Sequence, residues 1–163
     1  MIDDASAPLP PLRSRARRRV LAAGGALVAL RVVPVRAQTA SELPQVAALT
    51  DDLAGRVPRF GRLSLDIPRL ADNGNAVPLR IAMSGVFPAG TEIRSIRLYS
   101  PKNPVALMAR FDFPAPPAKP EVDMRVRLAG TQRIAAIAEL ANGELHAAVA
   151  DVDVTISACL DGT

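Results

Sequence analysis

The chain has 163 residues, a formal net charge of +4, a single cysteine and no tryptophan. Residues 1–37 hold 7 of the 20 basic residues and 2 of the 16 acidic ones, so the rest carries 13 basic and 14 acidic residues, a net charge of −1. Those charges are interspersed, which excludes the clustered basic footprint of a nucleic-acid binder, and one thiol excludes an internal disulfide.

In chain order, Arg13, Arg15, Arg17, Arg18 and Arg19 form a basic block, and an apolar run rich in Ala and Gly follows over residues 20–30 until Arg31 closes it. That run is too short to span a bilayer. Arg17-Arg18-Arg19-Val20-Leu21 has the paired arginines, one free position and two apolar residues of a twin-arginine export signal. Val35-Arg36-Ala37 supplies compact residues at the positions a signal peptidase reads. Residues 1–37 are therefore expected to be a cleaved twin-arginine signal peptide. The mature chain of 126 residues would be periplasmic and free of the membrane, and is of a length for one domain.

Residues 38–60 are expected to form a helical segment. Leu43, Val46, Ala47, Leu49 and Leu53 fall near one face of a helix over 41–55, with Ser41 as cap, Pro44 in the first turn, and Gly55 and Pro58 ending it. The apolar period then changes to two. Leu63, Leu65 and Ile67 alternate with polar neighbours, and residues 68–74 read as a loop that runs into the turn chemistry of Asp72-Asn73-Gly74-Asn75. Val77, Leu79, Ile81 and Met83 define another strand, and residues 93–99 and 105–113 two more. Pro114, Pro116, Pro117 and Pro120 break the chain before Val122, Met124, Val126 and Leu128 resume the alternation. Residues 134–140 and 145–156 flank Asn142-Gly143, a preferred pair for a tight hairpin. Residues 61–156 are thus predicted to be all-β, an antiparallel β-sandwich of immunoglobulin-like kind preceded by the short helix. The Cys-Trp-Cys core of antibody domains is missing.

Among residues that carry chemistry, Cys159 stands out, because only Leu160, Asp161, Gly162 and Thr163 follow it. In an exported protein such a thiol is either idle or kept for something intermolecular. Counted from Ile156, an extended arm over residues 157–163 would carry it about 10 Å beyond the last strand. His146 is the sole histidine and is expected at an exposed or rim position. Asp151 and Asp153 share a strand face, which suits solvent better than a cation. Met83, Met108 and Met124 read as core gap-fillers, and Lys102-Asn103-Pro104 as turn chemistry. No metal cluster, phosphate loop or catalytic triad can be assembled. The expectation is no cofactor, no metal and no stand-alone enzyme activity.

An ordered set of segments carries a resemblance: Asp72-Asn73-Gly74-Asn75-Ala76-Val77-Pro78, Lys102-Asn103-Pro104, Arg125-Val126-Arg127-Leu128-Ala129, Ala138-Glu139-Leu140-Ala141-Asn142-Gly143, and Val152-Asp153-Val154-Thr155-Ile156 ahead of Cys159. Together they resemble the SoxY family, the sulfur-compound carrier subunits of the periplasmic thiosulfate-oxidising (Sox) system, from about Arg62 to Cys159. The resemblance implies a heterodimer with a SoxZ-like subunit and Cys159 as the covalent attachment point. There a haem enzyme would load thiosulfate, and a sulfate-releasing hydrolase and a sulfane dehydrogenase would act in turn. The family's usual Gly-Gly-Cys-Gly-Gly ending is replaced here by Ser157-Ala158 before the thiol and Leu160-Asp161 after it. Asp161 sets a negative charge beside the thiol, which disfavours thiolate and repels an anionic cargo. The alternative is therefore an interaction module that kept the fold and lost the carrier chemistry.

Overall fold

The computed structural model describes residues 42–158; the twin-arginine segment and Cys159 lie outside them. Among the described residues nine strands form two sheets. The first sheet runs β1 (Arg59–Phe60), β9 (Leu145–Ile156), β8 (Gln132–Leu140), β5 (Ile93–Tyr99), β6 (Leu107–Asp112). The second runs β2 (Leu63–Asp66), β4 (Val77–Met83), β7 (Glu121–Val126). Pairing is antiparallel apart from two short parallel ladders on the outer edge of β9. Strand β1 lies beside its start, with Arg59 opposite His146, and β3 (Leu70–Asn73) beside its end, with Ala71 opposite Val154. The predicted sandwich is present. β3 occupies what the sequence presents as a loop, because a four-residue strand framed by Pro68 and Gly74 offers no readable alternation.

Burial explains why the patterns differ from strand to strand. Val77, Leu79, Ile81 and Met83 face the first sheet, while Pro78 and Arg80 between them are exposed, so β4 alternates cleanly. β8 does not alternate: residues 134–138 are buried throughout, since each of its faces is covered. One face joins the core between the sheets through Ile134, Ala136 and Ala138. Opposite, Ala135 and Ile137 pack with Leu145, Ala147, Leu43 and Leu49 under the N-terminal segment. The described residues therefore stack helix upon sheet upon sheet, and strands covered on both faces read as continuous apolar runs.

The helix α1 is Ala47–Leu53, shorter than the stretch 41–55 expected from the pattern. It starts at Val46 with no side-chain cap, so Pro44 precedes it, and it ends at Ala54, whose φ of 48° is left-handed. A helix of this length is marginal alone and is held by tertiary contacts. Arg97 of β5, 4% exposed, is the main polar one. Its guanidinium reaches Asp52 of α1 at 2.5 Å and Glu139 of β8 at 2.9 Å, and Arg56 also approaches Glu139 at 3.4 Å. The hairpin joining β8 to β9 is closed by the Leu140 N–H donating to Glu144 O. A second bond, Gly143 N–H to Leu140 O, together with Gly143 at φ 83°, makes it a three-residue loop.

One expectation is overturned here. His146 is 2% exposed, not a rim residue, and neither ring nitrogen has a hydrogen-bond partner among the described residues. Strand β1, not legible as a strand, adds to the sheet edge beside it, with Arg59 opposite His146. Burial, with Arg62 and Arg59 nearby, pushes the imidazole below its ordinary value; Glu144, 3.9 Å from Nε2, pulls the other way. Asp151 and Asp153 are exposed as expected. Asp151 accepts both bonds of an Arg133 fork at 2.7 Å, which lowers its carboxyl.

Two outcomes follow from this packing. Arg97→Ala leaves Asp52 and Glu139 at the helix–sheet junction without the guanidinium that bridges them, with only the more distant Arg56 beside Glu139, and is expected to cost about 3 kcal/mol in urea unfolding. For His146 the folded-state pKa is depressed, so its contribution to stability is present above the unfolded value of 6.5 and is lost as pH falls below it. Unfolding free energy between about pH 7 and 5 should decline in the parent and decline less in His146→Leu.

Candidate functional site

Cys159 lies just outside the described residues, so the site is built from what leads to it. Strand β9 ends at Ile156, Ser157 is exposed, and Ala158 is buried again at 4% exposure. The Ala158 N–H donates to Leu128 O at 3.0 Å, and the Leu128 N–H donates to Gly74 O at 2.8 Å. Leu128 is fully buried. Its main chain thus joins the segment after β7, the turn before β4 and the residue that precedes Cys159.

Each strand of this junction is fixed by residues suited to it. Gly74 is required by space: a Cβ there would lie 2.4 Å from Leu128 O, 2.9 Å from Ala158 N and 3.0 Å from Val154 Cγ1. Its turn is set by Asn73, whose Oδ1 accepts the Asn75 N–H at 2.9 Å in an Asx turn. Asn103 spans Leu128 from the other side, donating from Nδ2 to Arg127 O at 2.8 Å and accepting the Ala129 N–H on Oδ1 at 3.0 Å. Gln132 is buried with its polar groups satisfied. Its Oε1 accepts from Ser100 Oγ and the Lys102 N–H, and its Nε2 donates to Gly130 O. Thr131 Oγ1 accepts the Val154 N–H at 2.9 Å, tying the same loop to β9.

The segments that looked like scattered turn chemistry therefore converge. Residues 73–75, 102–103 and 127–132 surround the end of β9. Reading Lys102-Asn103-Pro104 as a turn was right about the backbone and missed the side chain, since single-residue reasoning gives no hint that Asn103 reaches 24 residues ahead. A usable signal existed in the sequence: these segments recur together in the resemblance.

A family model for "Sulfur oxidation protein SoxY" matches residues 47–159, from the first residue of α1 to the cysteine. The chain belongs to the SoxY family. Membership makes it a sulfur oxidation protein and connects it with the Sox system. No curated protein matches this SoxY chain. Among solved structures, superoxide reductase (neelaredoxin) from Ignicoccus hospitalis is similar at 22% identity and a TM-score of 0.49, covering 58% of this chain and 80% of that one. A variant of that protein gives 20% identity and a TM-score of 0.50 over 72% and 93%. Superoxide reductase from Nanoarchaeum equitans gives 16% and 0.45 over 55% and 90%. At these identities the likeness is one of fold alone. No group of three or more His, Cys, Asp or Glu that could hold a metal occurs among the described residues. No helix among them is long and apolar enough to cross a membrane.

The tightest element of the junction gives a direct check. Gly74→Ala drives a methyl group into backbone that cannot swing away, and is expected to destabilise the domain by about 2–3 kcal/mol in denaturant unfolding. A loss below about 0.5 kcal/mol would mean that Leu128 and Ala158 are not held as described.

Proposed function

We propose that this SoxY protein is a sulfur carrier of periplasmic thiosulfate oxidation, holding covalent intermediates on Cys159 and presenting them to partner enzymes. The observation that supports it most is the fixed C-terminal root: the main chain is anchored at Ala158, and the sole thiol of the protein comes next. A carrier needs a reactive group set apart from its own fold and a base from which to offer it. In this reading residues 1–37 are the twin-arginine signal, residues 38–60 contribute the helix, residues 61–156 are the immunoglobulin-like domain, and the arm is 157–163. Because Ala158 is pinned, the arm's reach is counted from there and not from Ile156, which shortens it by two residues.

The chemistry runs as follows. The Cys159 thiolate and the sulfane sulfur of thiosulfate form an S–S bond with loss of two electrons, which a haem enzyme of the system accepts. The product is a cysteine S-thiosulfonate. Water then releases the terminal sulfonate as sulfate with two protons and leaves a cysteine persulfide anion, on which a sulfane dehydrogenase acts. The protein supplies the thiol and its placement; the partners supply the redox and hydrolytic groups. A SoxZ-like subunit completes the carrier as a heterodimer. Folding with a signal-less partner before export is the reason such a chain would use the twin-arginine route, which passes folded cargo.

The Leu160-Asp161 pair beside the thiol favours a second reading, an interaction module of the same fold without carrier chemistry. Intact-mass measurement on the protein from thiosulfate-grown cells separates the two. Sulfur adducts are expected on the parent, none on Cys159→Ser, and thiosulfate oxidation should fail in the variant. Adducts that persist in Cys159→Ser would sink the carrier reading, and normal oxidation with an unmodified protein would favour the module.

A further inference from the structure

We propose that Asn103 is a positioning residue for Cys159, acting through the Leu128 peptide; this rests on the carrier reading. Asn103 lies in the loop between β5 and β6, far in sequence from the C-terminus, yet both ends of its carboxamide are committed around one residue. A carboxamide presents a donor and an acceptor on one planar head, and here the donor takes Arg127 O while the acceptor takes the Ala129 N–H. Those two groups flank Leu128. Strand β7 ends at Val126, so the sheet ladder no longer orients the peptides that follow. Asn103 replaces the ladder there.

The orientation matters because of what Leu128 holds. Its carbonyl accepts the Ala158 N–H, and its N–H is bonded to Gly74 O on the opposite side. Rotating the peptide between Leu128 and Ala129 would turn that carbonyl away from Ala158. Gly74 leaves no room for the chain to re-seat on the other side, since even a methyl group would collide with both Leu128 O and Ala158 N. Ala158 is covalently joined to Cys159, so the direction in which the chain leaves the sandwich is set at this bond. Tight placement of a reacting group is worth orders of magnitude in rate, and small displacements forfeit much of it. A pinned root also compensates for an ending poor in glycine: with Ser157-Ala158 ahead of the thiol, aim replaces slack.

The test compares Asn103→Ala, Asn103→Asp and the parent, each purified as the intact protein. Amide exchange at Ala158 should quicken about tenfold in Asn103→Ala, while the ladder amides between β8 and β9 keep their protection. A general loss of stability would instead quicken both. Iodoacetamide should alkylate Cys159 within about twofold of the parent rate, because the thiol itself is untouched. Sulfur-adduct occupancy in thiosulfate-grown cells should fall about threefold or more. Asn103→Asp keeps the acceptor for Ala129 and loses the donor, and should lie between the two. If Asn103→Ala does not accumulate, Ala158→Pro deletes the anchoring N–H directly and should show the same adduct loss. Unchanged Ala158 exchange in Asn103→Ala, or full adduct occupancy once that protection is gone, overturns the proposal. A parent protein without adducts overturns the carrier reading alone, and the exchange comparison still decides whether Asn103 holds the root.

Discussion

The two hydrogen bonds of the Leu128 main chain are the constraint around which the loops at the end of β9 are arranged. One joins it to Gly74 and the other to Ala158. Neither belongs to a regular ladder, and both are buried under a residue with no exposure of its own. A buried backbone group that loses its partner carries the full desolvation penalty, so the surrounding polar side chains are committed to keeping these peptides in place. Asn73, Asn103, Thr131 and Gln132 each bond main-chain groups of these loops or of β9. The result is a rigid seat made from loops at one end of a sandwich.

The rest of the fold supplies the platform for that seat. β9 is the last long strand of the first sheet and delivers Ala158 to it, with β8 on one side and the fragments β1 and β3 on the other. On the outer face, α1 is fastened by Arg97, and the apolar contacts of Leu43 and Leu49 bury the strip beneath. Replacing such an ion pair by apolar residues of similar size is often neutral or stabilising in proteins. Its value here lies in orientation: Asp52 and Glu139 flank a single guanidinium, which specifies where a seven-residue helix rests.

How much of this was legible depended on whether a pattern was local. Strand β4 was readable because its alternation is created by one covered face, and the sandwich followed from several such runs. The helix was readable in kind but not in extent, since Pro44 and the residues around it pack apolar side chains without being helical. β1 and β3 were opaque: at two and four residues they are stabilised by a neighbour some 80 residues later, and no periodicity can encode that. His146 was misplaced for the same reason, since one of those fragments pairs beside it. At the site, Cys159 could be singled out by its isolation, and the resemblance tied it to sulfur chemistry. The roles of Gly74 and Asn103 could not be derived from either position alone, because a clash with a distant carbonyl and a reach across loops exist only in three dimensions.

The two parallel fragments beside β9 have one more effect. β9 is twelve residues long and carries the stretch Leu145-His146-Ala147-Ala148-Val149-Ala150, apolar apart from one histidine. Left unpaired, such an edge would be a template for strand addition by other copies of the chain. Capping it with pieces too short to recruit a further strand removes that hazard at both of its ends. The strand richest in apolar residues thus meets its own chain at both ends, at His146–Ala147 and again from Asp153, before it can meet another copy.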